Sequence, residues 1–327
     1  MKLVKLEIEN VLGIPDGSYS FVRRGTSPAD RVTLLVGSRG AGKTSLLEAI
    51  VFAKECIGAY GPPQRPESML RAGASSGRLE VEFQLDAEEQ QSAGLESAEL
   101  AVAIELRPDA PLIDVAKGAR QLLGRFSASE AESKLEYFPD NRSLEMPGVA
   151  TTVEQEKRLR PTRLPQKYAG LVASLEAMST LDGARALEES SRRGLLFGDD
   201  APDSLGAYRR ALAKLCPDVH LKGVLPLNGS LQLMFSLKTG ALVPARALSG
   251  AQKQGLLFAG TIVRFGLSKS LILIDMPELF LHMADHESFY RGLLAIAPDA
   301  QLIVATGSSS LVQCVGRDQT IALVPSR

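Results

Sequence analysis

"RVTLLVGSRGAGKTSLLEAI", Arg31 to Ile50, is the stretch on which the reading of this chain turns. Its opening, Arg31–Gly37, is too continuously apolar for a one-sided sheet and reads as a strand buried on both faces. From Lys43 to Ala53 the period changes to that of a helix, with Leu46, Leu47, Ile50 and Val51 on one side. Between the two, Gly37, Ser38, Arg39, Gly40, Ala41, Gly42, Lys43, Thr44 and Ser45 fit GxxxxGK[ST] at every position. A strand before and a helix after is the context that gives this pattern its meaning. The glycines let successive backbone N–H groups turn inward, and with the helix N-terminus they stabilise phosphate charge without committing a side chain. Lys43 would reach the β- and γ-phosphates and Thr44 would ligate Mg2+. A glycine-rich turn that binds nothing leaves a lysine aimed at a ring of amides unexplained. Arg39 either adds positive charge at the loop or points to solvent.

The bulk numbers fit this reading. The 327 residues suffice for one large or two ordinary domains, and 45% hydrophobic with 23% charged residues is a globular composition. A formal net charge of −1 argues against a chain dominated by nucleic-acid affinity. Cys56, Cys216 and Cys314 lie far apart without metal-ligand spacing, and with three histidines in all a zinc site is not expected. Reduced cysteines, no signal-peptide pattern in "MKLVKLEIENVLG" and no run near the ~20 apolar residues of a membrane span set the expectation of a soluble cytoplasmic protein.

The first 30 residues read as paired strands. "RLEVEFQLD" and "ELAVAIELRPD" alternate like a hairpin or meander, and "KLEYFPDNRSLEMPG" reads as a strand broken at Pro139. From about Thr152 to Leu195 the pattern is mostly helical, entered through the basic "EQEKRLRPTRLPQK". Another helix, "LGAYRRALAKLCP", precedes strands near Leu221–Leu225 and Leu231–Leu237, and the remainder runs helix, strand, helix, strand. Strands alternating with helices predict an α/β fold with a largely parallel core sheet, and the early alternating strands predict an antiparallel sheet beside it.

Leu248-Ser249-Gly250-Ala251-Gln252 stands just before an apolar helix. Ser249 with Gln252 three residues on is a capping box that any helix start would tolerate. It gains weight from order: a phosphate loop, then LSGxQ, then "LILID", which ends in Asp275 like a magnesium-holding strand. With "MKLVKLEIENVLGI", "LLVGSRGAGKTSLLEAI", "LSGAQKQ" and "LILIDMPELFLH" in that order, the chain resembles the ATP-binding-cassette (ABC) ATPases, in particular SMC/RecF/OLD-type heads rather than transporter subunits. "YFPDNR" is a weaker fifth stretch, similar to a strand of the OLD-like branch. The resemblance covers both ends, is thin from about Thr152 to Asp200, and includes no coiled-coil arm.

The resemblance implies a P-loop NTPase fold built as one composite head. Residues 1–150 would form lobe I with the antiparallel β subdomain and the phosphate loop. Residues 151–205 would be a mostly helical insert, and 206–327 lobe II with the signature motif and the magnesium strand. It implies ATP and Mg2+ as ligands and a homodimer or heterodimer in which Lys43 and Thr44 of one chain face Ser249, Gly250 and Gln252 of the other. Asp275 would complete the metal shell, and Gln64 and Gln84 compete for the glutamine-loop role.

Two positions depart from that pattern. Met276 stands where the family has its catalytic glutamate, and a thioether cannot accept a proton from water; loss of a general base costs about 10²–10⁴-fold in rate. Gly307 follows Thr306 where relatives place a γ-phosphate-sensing histidine. The expectation is therefore an ATP-binding switch or scaffold with weak or lost hydrolysis. By resemblance it would serve DNA repair or anti-phage and anti-plasmid defence, beside a nuclease or other effector. The alternative is an active OLD/RecF-like ATPase using Glu278, or a partner residue, as base. His282, in the family's Leu-His position, is expected to be structural or a dimer contact. Nucleic-acid contact, if made, would fall to Lys157, Arg158, Arg160, Arg163 and Lys167, a run that equally suits a solvated face.

Overall fold

The structure, a computed structural model, describes residues 1–21, 31–62, 65–144, 149–193 and 203–324. The first part of the chain forms β1 (Lys2–Glu9), β2 (Gly17–Ser20), β3 (Val32–Val36), α1 (Lys43–Ile57), β4 (Gly77–Gln84), α2 (Ala87–Ala93) and β5 (Glu99–Leu106). Next come β6 (Leu112–Ile113), α3 (Lys117–Leu123), β7 (Leu135–Phe138), α4 (Val153–Lys157) and α5 (Leu171–Arg193). The last part adds α6 (Gly206–Leu215), β8 (Val219–Leu227), β9 (Ser230–Leu237), β10 (Leu242–Pro244), α7 (Gly250–Arg264) and β11 (Leu271–Asp275). It ends with α8 (His286–Ile296), β12 (Gln301–Ala305), α9 (Ser309–Val315) and β13 (Thr320–Ala322).

These strands make three sheets. The central one has the order β13-β3-β12-β11-β7 and is parallel throughout. β11 and β12 are buried at every position, as expected of strands covered on both faces. The second sheet, β2-β1-β4-β5-β6, is antiparallel, and β4 alternates buried and more exposed residues along its length. The third is a small antiparallel sheet, β10-β9-β8; its short third strand, β10, was not foreseen in the sequence.

The pleat of the central sheet divides the core in two. Leu34, Ile272, Ile274, Leu302 and Val304 face one hydrophobic cluster with Leu256, Leu257 and Phe258 of α7. Leu35, Leu271, Leu273, Ile303 and Ala305 face the other, with Leu46, Leu47 and Ile50 of α1. Helix α1 touches β4 and β5 of the antiparallel sheet and β7, β11 and β12 of the parallel one. It is consequently buried over most of its circumference, which the one-sided apolar stripe read from the sequence understates. Each fully buried Leu or Ile in these layers contributes roughly 1.5–3 kcal/mol.

Parallel strands end on the same side of a sheet, so the segments after β3, β11, β12 and β7 converge at one edge. In open α/β sheets that edge, outside the carboxyl ends of the strands, is where ligands bind.

Candidate nucleotide site

The loop between β3 and α1 wraps on its glycines. A Cβ at Gly37, φ 155°, would lie 2.4 Å from the Leu323 carbonyl oxygen. At Gly42, φ 91°, it would lie 3.1 Å from the Gly13 oxygen, where the turn after β1 meets the loop. Ser38, Arg39 and Gly40 are exposed, Ala41 is buried, and Gly42, Lys43, Thr44 and Ser45 are half-buried. Lys43 folds back over the loop: its Nζ donates to the carbonyls of Gly37 at 2.9 Å and Ser38 at 3.0 Å. The ammonium thus sits at the mouth of the ring of amides, held by neutral acceptors that an anion would outcompete.

Thr44 Oγ1 donates to Asp275 Oδ2 at 2.7 Å, joining residues 231 positions apart. Asp275 is 1% exposed. Burial raises its carboxyl above the usual carboxylate range, and the Thr44 hydrogen bond opposes that rise. A hydroxyl and a carboxylate are hard oxygen donors of the kind Mg2+ takes, and that ion commonly uses one or two protein oxygens with phosphates and water completing the shell. Among the described residues no group of three or more His, Cys, Asp or Glu could hold a metal alone. The donor set therefore fits a magnesium nucleotide better than a free metal.

The capping box at the start of α7 is fully formed. Ser249 Oγ accepts from Gln252 N–H at 3.3 Å, and Ser249 N–H donates to Gln252 Oε1 at 3.0 Å. Gln252 Nε2 also donates to Asp218 at 3.1 Å, so this side chain is spent inside its own subunit. Ser249 and Gly250 stay exposed.

This arrangement can be set beside known structures. No family model matches the sequence, and no curated relative matches it either. Solved structures do. The SmcHead bound to the C-winged helix domain of ScpA matches over 100% of this chain and 95% of its own, at TM-score 0.58 and 16% identity. The SMC head domain from Thermotoga maritima matches over the whole of both chains, at TM-score 0.51 and 16% identity. A Smc head domain with an extended coiled coil, bound to the C-terminal domain of ScpA derived from Pyrococcus furiosus, matches over 93% of this chain and 89% of its own, at TM-score 0.53 and 13% identity. The fold is that of an SMC head. At such identities the likeness concerns the fold.

Within this SMC-head fold, the two departures seen in the sequence sit together. Met276 leaves β11 at φ 50°, its side chain 36% exposed beside the buried Asp275. Glu278 turns to the end of β12, where its Oε1 accepts from Thr306 Oγ1 at 2.9 Å and Gly307 N–H at 2.8 Å, while its Oε2 is buried without a partner among the described residues. His282 accepts at Nδ1 from Ala284 N–H at 3.2 Å and caps the turn before α8, a structural role, while the residue stays exposed.

Two residues escaped the sequence reading. His286, which opens α8, places Nδ1 2.9 Å from Ser308 Oγ and 3.3 Å from Ser310 Oγ. A histidine therefore meets the serines that follow Gly307, delivered from another element rather than from the next position in the chain. Arg142 is the second: the sequence marks it only as the last residue of "YFPDNR", while the structure buries its guanidinium behind the site. Nothing in local sequence signals a long-range contact of either kind.

The basic run requires correction. Arg160 and Lys167 are fully buried, and Arg160 pairs with Glu136 at 3.5 Å and Glu156 at 3.6 Å. Lys167 pairs with Glu136 at 3.0 Å and donates to the carbonyls of Tyr137 and Arg160. Arg163 is spanned by Glu48 at 2.8 Å and Asp140. Of the five residues only Lys157, half-buried, and Arg158, exposed, lack such partners among the described residues; with Arg160 and Lys167 buried, the run is no continuous basic surface. Its apolar companions pull it inside: Tyr137, Tyr168 and Phe265 flank the cations.

Of the two glutamine-loop candidates, Gln84 does not meet the site. Gln64 lies outside the described residues. Gln84 pairs with Lys2 and Glu99 at the far end of β4 from Gly77, about 20 Å along an extended strand from the end that adjoins the turn at Gly13. The strand beside β11 is instead β7, and its exit carries Pro139, Asp140, Asn141 and Arg142.

Proposed function

We propose that this chain binds ATP with Mg2+ on Gly37–Ser45 and Asp275 and acts as a dimerising switch or scaffold whose hydrolysis is weak or lost. The 2.7 Å Thr44–Asp275 hydrogen bond at the mouth of the glycine loop, with Met276 as the next residue, carries the reading. Bound nucleotide would receive the loop amides and the Lys43 ammonium at its phosphates, and Mg2+ would supply charge neutralisation there. Thr44 and Asp275 would hold that ion. Met276 offers no lone pair basic enough to take a proton from water.

The exposed Ser249 and Gly250 would face the phosphates of a second head, of this chain or another, so ATP would bridge the two. Two of the similar solved heads are bound to ScpA domains, which supports a protein partner here as well. A DNA-repair or anti-phage and anti-plasmid complex containing a nuclease or other effector is the setting we assign to it. ATP titration of the intact chain tests the nucleotide reading: binding lost in Lys43→Ala is expected, and equal binding by that variant would refute it.

A second reading, an active ATPase, has one observation in its favour. Glu278 Oε2 is a buried acceptor without a hydrogen-bond partner among the described residues. A base at that position predicts phosphate release that disappears in Glu278→Gln.

A further inference from the structure

"YFPDNR" is the one motif of the sequence to which neither reading gives a task. Its last residue lies buried behind the site. Arg142 is 2% exposed and uses four of its five N–H donors: Nε to Gln254 Oε1 at 2.6 Å, Nη1 to the carbonyls of Pro139 at 2.9 Å and Asp275 at 2.6 Å, and Nη2 to the Met276 carbonyl at 2.7 Å. Its guanidinium stacks 5.0 Å from the Phe258 ring. A buried guanidinium is costly unless its hydrogen bonds are satisfied, and here they end on the backbone of the strand that carries Asp275 and on the helix that displays Ser249.

The segment it grips is strained. Met276 is a non-glycine residue at φ 50°, a conformation costing roughly 1–2 kcal/mol that persists only when its surroundings over-determine it. The two Arg142 bonds to Asp275 and Met276 provide that determination, together with the bond from Met276 N–H to the Ala305 carbonyl at 2.8 Å. They set the backbone frame from which Asp275 reaches Thr44.

We propose that Arg142 is the positioning residue for the metal-dependent part of nucleotide binding. It holds the Asp275–Met276 backbone so that the Asp275 carboxylate is presented to the divalent ion, and through Gln254 it ties that frame to α7. The proposal rests on the nucleotide reading above. Lysine keeps the charge but not the planar fork, so Arg142→Lys isolates the geometry.

ATP affinity of the intact chain would be measured with Mg2+ and with EDTA for the wild type, Arg142→Lys and Gln254→Leu, with melting curves to show that each is folded. The wild type should gain affinity on adding Mg2+. In Arg142→Lys the affinity in EDTA should be unchanged while the Mg2+-dependent gain falls about 10–100-fold, as for other residues that orient a metal ligand. Gln254→Leu, which removes only the Nε acceptor, should reduce the same gain by less. A full Mg2+ gain in Arg142→Lys, or equal losses with and without Mg2+, would overturn the proposal. If Arg142→Lys does not fold, Gln254→Leu decides, and an intact Mg2+ gain there refutes the role. A wild type that binds no ATP would instead refute the nucleotide reading itself.

Discussion

Lys43 and Lys167 are the same side chain in two regions, and both donate to backbone carbonyls. The first lies across a partly exposed glycine loop at the carboxyl end of β3. The second is sealed among Glu136, Tyr137 and Tyr168, and burial pulls its ammonium down to about 7. A lysine held by replaceable carbonyl bonds is available to an anion, while one held inside the core is a structural element. Charge alone does not separate the two cases. The backbone around the lysine does.

That contrast can be broken at several points. The largest effect is expected at Lys167. Lys167→Met removes the nearer of the two cations beside the buried Glu136, leaving only Arg160 at 3.5 Å, and should cost about 3–5 kcal/mol of stability, read by denaturant unfolding. A loss below 1 kcal/mol would mean that the buried network is not what holds α4 and α5 to the sheet. Lys43→Ala should instead leave stability near the wild-type value and weaken ATP binding by about 1.5–3 kcal/mol or more, the worth of hydrogen bonds to a charged group. Isothermal titration would show it, and an unchanged affinity would return the loop to a plain turn.

Ser249 comes next. Ser249→Ala removes a formed N-cap and should lower stability by about 1 kcal/mol, which Ser249→Asp should restore because aspartate caps equally well. Neither variant should support ATP-bridged dimers in light scattering if the hydroxyl meets a partner's phosphates; dimers formed by Ser249→Asp would limit the residue to capping. Arg158→Glu is expected to stay within about 0.5 kcal/mol of the wild type in stability.

The comparison also makes a pH prediction. Lys54 and Lys167 both titrate near about 7 in the folded chain, lowered mainly by burial, and near 10.4 when unfolded. Between pH 7 and about 8 the unfolded chain therefore binds more protons, and the contribution of these two groups to stability rises with pH. Denaturation midpoints at those two values should show the rise, and Lys167→Met should flatten it. The opposite slope would assign the buried lysines a charged folded state.

Much of the fold was legible because its signals are local. "RVTLLVG" and "LILID" are mostly apolar without polar alternation, the pattern of strands covered on both faces. The GxxxxGK[ST] spacing is likewise a property of one turn, and the turn forms with Gly37 and Gly42 in conformations glycine tolerates. The capping box at Ser249 is legible for the same reason. What failed was long-range. The basic run from Lys157 to Lys167 gave no sign of Glu136, which arrives from a different strand. Arg142 and His286 act through neighbours over 100 and over 20 residues away, respectively, in the chain. Periodicity says which face of an element is apolar but not which distant polar group that face will meet.

The central claim is that this head keeps its nucleotide and has lost efficient hydrolysis at one position. ATP binding and steady-state phosphate release, measured together on the wild type and Met276→Glu with Lys43→Ala as control, test it most directly. Met276 is partly exposed and leaves the strand beside Asp275, so a glutamate there has room to meet water. The account predicts binding with little release in the wild type, release gained in Met276→Glu, and neither in Lys43→Ala. Brisk release by the wild type that vanishes in Glu278→Gln would contradict it, and the base would then be Glu278.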